Sequence, residues 1–145
     1  MFSRGEYNLG HLGHKEFGES AYAISFGTHT GTVAAASNWD GPMEIKTVLP
    51  SIPDSYEHVC HQTGNQSFLL NLRRTSPHET PLHRPRFERA IGVIYRPETE
   101  LASHYFQAVL PEQFDEYVWF DETTAITPFE TKTLEDLPDT YPFWL

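Results

Sequence analysis

Ala21-Tyr22-Ala23-Ile24-Ser25-Phe26, followed at once by Gly27-Thr28-His29-Thr30-Gly31-Thr32, is the stretch on which the fold turns. The first six residues are mostly apolar, too few for a typical helix and closed by a glycine, so they read as a strand buried on both faces. The next six read as a loop leaving the carboxyl end of that strand. Ser67 to Leu72, Ala90 to Tyr95 and Tyr117 to Phe120 are further apolar runs of strand length. Between them lie helical segments. Asn8 to Phe17 places Leu9, Leu12 and Phe17 on one face, with Gly18 to end it, although Gly10 and Gly13 weaken the propensity. Asp54 or Ser55 can cap a second helix running through Tyr56, Val59 and Cys60 to Gly64, with Glu57 near its start. Arg73 to Pro85, with three prolines and two histidines, reads as a surface loop. Strand-like runs alternating with helices and loops predict an α/β layer architecture with a partly parallel sheet. Pro138 to Leu145 is aromatic and proline-rich without a period, and needs a surface to pack on.

A chain of 145 residues is the size of one domain. It is 39% hydrophobic and 14% aromatic, with mean hydropathy −0.47, which is too apolar for disorder and holds no spanning apolar run. The 20 acidic against 10 basic residues give a formal charge of −10, a field that repels phosphate backbones and anionic headgroups. Nucleic acid and membrane surface are therefore not expected as partners. The charges are segregated, with six basic residues between Arg73 and Arg96 and eleven acids after Pro97, so the back third presents an acidic surface. A single cysteine, Cys60, excludes an internal disulfide, and Met1-Phe2-Ser3-Arg4-Gly5 lacks the apolar core of a secretory signal. The expectation is a soluble cytoplasmic chain.

The eight histidines carry most of the candidate chemistry. His11 with His14, and His58 with His61, stand three apart, so each pair shares a helix face; two ligands do not make a tetrahedral zinc site, and no metal or other cofactor is expected. Thr28, His29 and Thr30 lie where ligands bind in open α/β sheets, in the crevice beyond a strand's carboxyl end. The competing reading is that they only satisfy turn backbone groups. Gly27 and Gly31 do not match a phosphate-binding loop. A second block, Glu98-Thr99-Glu100 with Ser103-His104-Tyr105, gathers carboxylates, a hydroxyl, an imidazole and a phenol suited to acid–base work, against the plainer reading of an acidic surface. Ser103 and His104 make a poor nucleophile pair because adjacent side chains diverge, and no Gly-x-Ser-x-Gly elbow exists. Cys60 reads as a small inert core residue.

Gly27-Thr28-His29-Thr30-Gly31-Thr32-Val33-Ala34-Ala35-Ala36-Ser37, then Trp39-Asp40-Gly41-Pro42-Met43-Glu44, resembles a signature stretch of the erythromycin esterase family. Ser55-Tyr56-Glu57, Phe68-Leu69-Leu70, the block from Glu88 to Glu100, Ser103-His104-Tyr105-Phe106, Gln113-Phe114-Asp115 and Phe120-Asp121-Glu122-Thr123 resemble further family blocks in the same order. The resemblance implies a hydrolase that opens macrolide lactones or other carboxylic esters in the response to antibiotics, with a histidine activating water and no metal. It implies a three-layer α/β/α fold with a mostly parallel sheet, of which residues 1–145 resemble the C-terminal portion. Family members are considerably longer, and the blocks that carry their principal catalytic residues would precede Gly5, so catalytic positions are unknown here. Thr28, His29, Thr30, Glu98, Glu100, His104 and Tyr105 carry over only as candidate pocket residues for a small-molecule ester or lactone. On this reading the isolated chain is an incomplete folding unit, with exposed strands, and is catalytically inactive. The alternative to a hydrolase portion is an inert or binding remnant of the same fold.

Overall fold

The structure, a computed structural model, describes residues 9–75 and 81–127. Helix α1 (Leu9–Phe17) forms over the span expected, but none of its residues is buried, and Leu9, Leu12 and Phe17 face solvent. Asn8, its expected first residue, lies outside the described residues.

Strand β1 (Ile24–Ala36) absorbs both the expected strand and the expected loop. Thr28, Thr30, Thr32 and Val33 are β-branched and fit an extended backbone. The glycines that looked like turn signals serve close approach. A Cβ on Gly27 would collide with the Tyr117 hydroxyl, and one on Gly31, at φ +124°, with the backbone of Thr123. Nor is the stretch buried on both faces: Ile24 and Phe26 are 50% and 68% exposed.

β2 (Met43–Val48) returns antiparallel along the second half of β1, Gly31 opposite Val48 and Ala36 opposite Met43. β6 (Glu116–Thr123) lies parallel to the first half, Ile24 opposite Glu116, and β3 (Ser67–Asn71) pairs antiparallel on its far side. The order is β2-β1-β6-β3, with a separate antiparallel pair of β4 (Arg86–Arg89) and β5 (Tyr105–Ala108). The sheet is thus mixed, with one parallel pair, where a mostly parallel one was expected. The short turn after β1 can only produce an antiparallel neighbour, and only β6, reached by a long excursion, comes back parallel. Paired residues share a sheet face, so Tyr117, Trp119, Phe68 and Leu70 look one way, and Phe26, Val118 and Leu69 the other. Helix α2 (Tyr56–His61) packs on the first face; Phe26 and Leu69 remain exposed on the second, so among the described residues the three-layer expectation finds helix on one face only.

α2 begins as expected, with the Ser55 hydroxyl accepting the His58 N–H at 3.1 Å, and ends at His61 rather than Gly64. Its Tyr56 and Cys60 join Leu72, Ala108, Leu110, Tyr117 and Trp119 in the main core. The Tyr56 hydroxyl sits among the carbonyls of Leu82, Arg84 and Ala108 and accepts the Leu110 N–H, anchoring α3 (Leu110–Gln113). Burial pushes the Cys60 thiol up to about 12, which agrees with an inert core cysteine.

Ala90 to Tyr95 is not a strand. The ladder lies just before it, in β4, and the run itself makes one isolated bridge, with Ala36 accepting the Tyr95 N–H and donating its own N–H to the Val93 carbonyl. Part of its apolar character serves burial rather than pairing: Tyr95 is fully buried with Ala35 and Val48 and Ile91 packs against them, whereas Val93 is 70% exposed. Of the loop expected from Arg73 to Pro85, the described parts carry single helical turns at Leu72–Arg74 and Pro81–His83. Residues 76–80, His78 among them, and the tail from Pro138 to Leu145 lie outside the described residues. Among the described residues no helix is long and apolar enough to cross a membrane.

Candidate functional site

Two polar clusters meet at Thr28 and His29. The first is dry. β1 has no β2 partner before Gly31, and the carbonyls of Thr28 and His29 accept instead from Arg89 Nη2, at 2.5 and 3.0 Å. Arg89 Nη1 donates to the Leu49 carbonyl at 2.7 Å and to Glu100 Oε1 at 3.0 Å. Arg89 and Glu100 are 6% and 5% exposed, a buried ion pair whose desolvation is offset only because nearly every donor is used. Tyr95 donates to Glu100 Oε1 at 2.6 Å and accepts the Leu49 N–H, and Tyr105, whose ring lies 5.7 Å from the guanidinium carbon, accepts the Ile52 N–H. Burial holds the Tyr105 phenol up at about 12 and that of Tyr95 higher still. The Arg89 N–H reaches Glu57 Oε1 at 2.9 Å, and burial raises the Glu57 carboxyl. Next to it, burial and then the Glu57 charge push the Glu88 carboxyl up to about 8.

The second cluster is half open. His29 Nδ1 lies 2.7 Å from Ser51 Oγ and also receives the Ser51 N–H at 3.4 Å, so it is an acceptor, and the ring proton of neutral His29 sits on Nε2. The His29 ring stacks on His61 from α2, centroids 3.6 Å apart and 8° from parallel. His61 Nδ1 lies 2.7 Å from Asp121 Oδ1; a carboxylate only accepts, so His61 carries a proton on Nδ1. Burial, then the adjacent His61, lower the pKa of His29 and hold it neutral. His58 tilts against His61 at 6.4 Å. Among the described residues there is no group of three or more side chains placed to hold a metal ion.

The candidate residues divide accordingly. Thr28, His29 and Thr30 lie inside β1 rather than in a loop, because strand pairing with β6 continues past them. Their side chains alternate across the sheet, and Thr28 Oγ1 donates to the Thr30 carbonyl at 2.9 Å. Glu100 and Tyr105 join Thr28 through Arg89. Glu98 does not: it is exposed on the turn Pro97–Thr99. Ser103 donates to the Thr99 carbonyl at 2.8 Å while His104 Nδ1 turns to the Ala90 carbonyl at 3.1 Å, so these neighbours diverge, as adjacent side chains do. Arg89, Glu57, Ser51 and Asp121 were not singled out by sequence reasoning. For Arg89 a signal existed, since Glu88-Arg89 abuts the apolar run from Ala90, and charges in such a place are buried in pairs.

A cavity of about 420 Å³ opens beside the dry cluster. Phe26, Phe120 and Ile126 give it apolar walls, Thr28 and Thr123 add hydroxyl-bearing positions, and Arg89 stands at its inner side. Its size falls within the range of small-molecule pockets, which combine apolar walls with few polar groups. His29 and His61 do not line it.

A mixed sheet with a helix on one face and a concave, partly apolar cavity beside a buried arginine defines an α/β domain with a pocket of small-molecule size. The chain belongs to the erythromycin esterase family, whose sequence profile matches residues 1–123. Two solved structures are similar. One, a protein from Bacillus cereus, is 19% identical with a TM-score of 0.63, covering 77% of this chain and 27% of its own. The other, a succinoglycan biosynthesis protein, is 21% identical with a TM-score of 0.64, covering 81% of this chain and 28% of its own. At these identities the likeness is one of fold, and the chain spans little more than a quarter of the length of either.

Proposed function

We propose that this chain supplies a substrate-binding wall of an esterase-type hydrolase that acts on a small-molecule carboxylic ester or macrolide lactone in the response to antibiotics. The observation that carries the reading is the cavity of about 420 Å³ lined by Phe26, Phe120 and Ile126 together with Thr28 and Arg89. Apolar walls suit a lactone's hydrocarbon skeleton, and hydroxyl-bearing side chains suit its oxygens. Family membership supports hydrolysis as the reaction of the intact enzyme. An inert or binding remnant is the second reading, favoured by the separation of Glu98, Ser103 and His104 from the cavity. Titrating erythromycin into the full chain by calorimetry, with mass spectrometry of the lactone, tests both. Saturable binding that Phe26→Asp abolishes is expected; ring opening by this chain overturns the inert or binding remnant, and no binding at all overturns the cavity reading.

A further inference from the structure

We propose that the stacked pair His29–His61 is a bifunctional hydrolytic site for unhindered carboxylic esters, with His61 Nε2 as the base and His29 Nε2–H as the oxyanion donor. It is separate from the cavity and stands without it. Both Nδ1 atoms are occupied, one by Ser51 and one by Asp121, so each ring has only Nε2 left for chemistry, and neither Nε2 has a partner among the described residues. The partners set opposite tautomers. Ser51 donates to His29 twice, through N–H and hydroxyl, and so puts that ring's proton on Nε2. Asp121 accepts from His61 and so leaves a lone pair on its Nε2. One ring thus offers a donor and its stacked neighbour an acceptor, the two functions ester hydrolysis requires. The side chains of His61 and Asp121 are 40% and 32% exposed, so an ester and water reach the pair without any opening of the fold.

The step balances without a co-reactant. A water oxygen bonds to the ester carbonyl carbon as its proton passes to His61 Nε2, and the carbonyl π electrons move onto the oxygen facing His29 Nε2–H. Collapse of the tetrahedral intermediate breaks the carbon–alkoxy bond, and the departing alkoxide takes the proton from His61 Nε2. Carboxylic acid and alcohol leave, and both rings are as they began. Asp121 and Ser51 are positioning residues that hold each tautomer. The charged or titratable groups facing the pair are Asp121, His58 and Arg89.

The test is hydrolysis of 4-nitrophenyl acetate by the full chain, with His61→Gln, His29→Gln and Asp121→Asn, and His83→Gln as a control for an imidazole outside both clusters. His83 belongs to neither cluster, its Nε2 lying 3.2 Å from the Thr75 hydroxyl. His61→Gln is expected to lower kcat/KM by between about tenfold and about 100-fold, toward the low end of general-base effects because the site is open. Asp121→Asn should lower kcat with little change in KM, and His83→Gln should leave the rate within about twofold of the parent, as expected for an imidazole outside the reaction. His61→Ala, restored by added imidazole, separates lost chemistry from lost structure. Equal losses in His61→Gln and His83→Gln, or no rescue, overturn the proposal. Aryl-ester hydrolysis is read separately from erythromycin binding, so failure of the cavity reading and failure of this one are seen in different measurements.

Discussion

The Arg89–Glu100 network and the His29–His61 pair are built on the same two residues of β1 and behave as opposites. The backbone carbonyls of Thr28 and His29 belong to the first, whereas the His29 side chain belongs to the second. In the first, charges are almost wholly out of water, Arg89 is tied to four oxygens and Glu100 to two donors, and the phenols of Tyr95 and Tyr105 are driven far from titration near neutrality. In the second, two imidazoles remain reachable by solvent and keep a free edge each. The difference teaches that a polar cluster's role follows from its burial and its unused valences more than from which residue types it contains. Full satisfaction makes an anchor, and partial satisfaction leaves a site.

The largest expected effect breaks the anchor. Arg89→Met leaves Glu100 buried without its partner and frees the carbonyls of Leu49, Thr28 and His29, so denaturant unfolding should show a loss of about 3–5 kcal/mol. Adding Glu100→Leu to that variant should recover part of the loss, because removing both charges is far cheaper than removing one. Full additivity of the two losses would show that the ion pair is not the coupling element.

Next is Glu88. Its carboxyl is pushed up to about 8, first by burial and then by Glu57, from an ordinary value of 4.5. A raised carboxyl favours the protonated folded state, so its stabilisation is complete below the unfolded value and is lost as pH rises through the folded one. Stability should fall between about pH 4.5 and about pH 8, and Glu88→Gln should flatten that fall in urea titrations across the range. An unchanged slope in Glu88→Gln would place the pH dependence elsewhere.

The histidine pair yields smaller effects on stability. Proton NMR titration should find His29 losing its proton below the ordinary histidine value of 6.5, with burial as the main cause and the neighbouring His61 next. His61→Gln should cost less than about 1 kcal/mol, since the His61–Asp121 contact is partly open to water. A loss as large as that of Arg89→Met would erase the distinction between the two clusters.

Much of the local structure was legible. Ser55 capped α2 because a hydroxyl before an apolar, helix-length run is a local signal, and the runs in β3 and β6 appeared as strands within a few residues. The reading failed where one local cue has two physical meanings. Glycines at positions 27 and 31 look the same whether they make a turn or admit Tyr117 and Thr123 against β1. The apolar run from Ala90 to Tyr95 looks the same whether it pairs in a sheet or merely lies beneath one. Of the candidate site, His29, Glu100 and Tyr105 do fall in the two clusters, whereas Glu98 and His104 do not.

The sequence by itself determined the acidic charge, the start of α2, the strand-forming runs of β1, β3 and β6 and the ordered blocks that place the chain in its family, all of which are properties of neighbouring residues. Only the tertiary structure decided that His29 sits within a strand, that the sheet is mixed, and that Arg89 meets Glu100 while Ser51 and Asp121 meet the two histidines. Ser51 reaches His29 across 22 residues and Asp121 reaches His61 across 60. Contacts at that range are chosen by how the whole chain packs and which groups it can afford to desolvate, and no local period of the sequence records that choice.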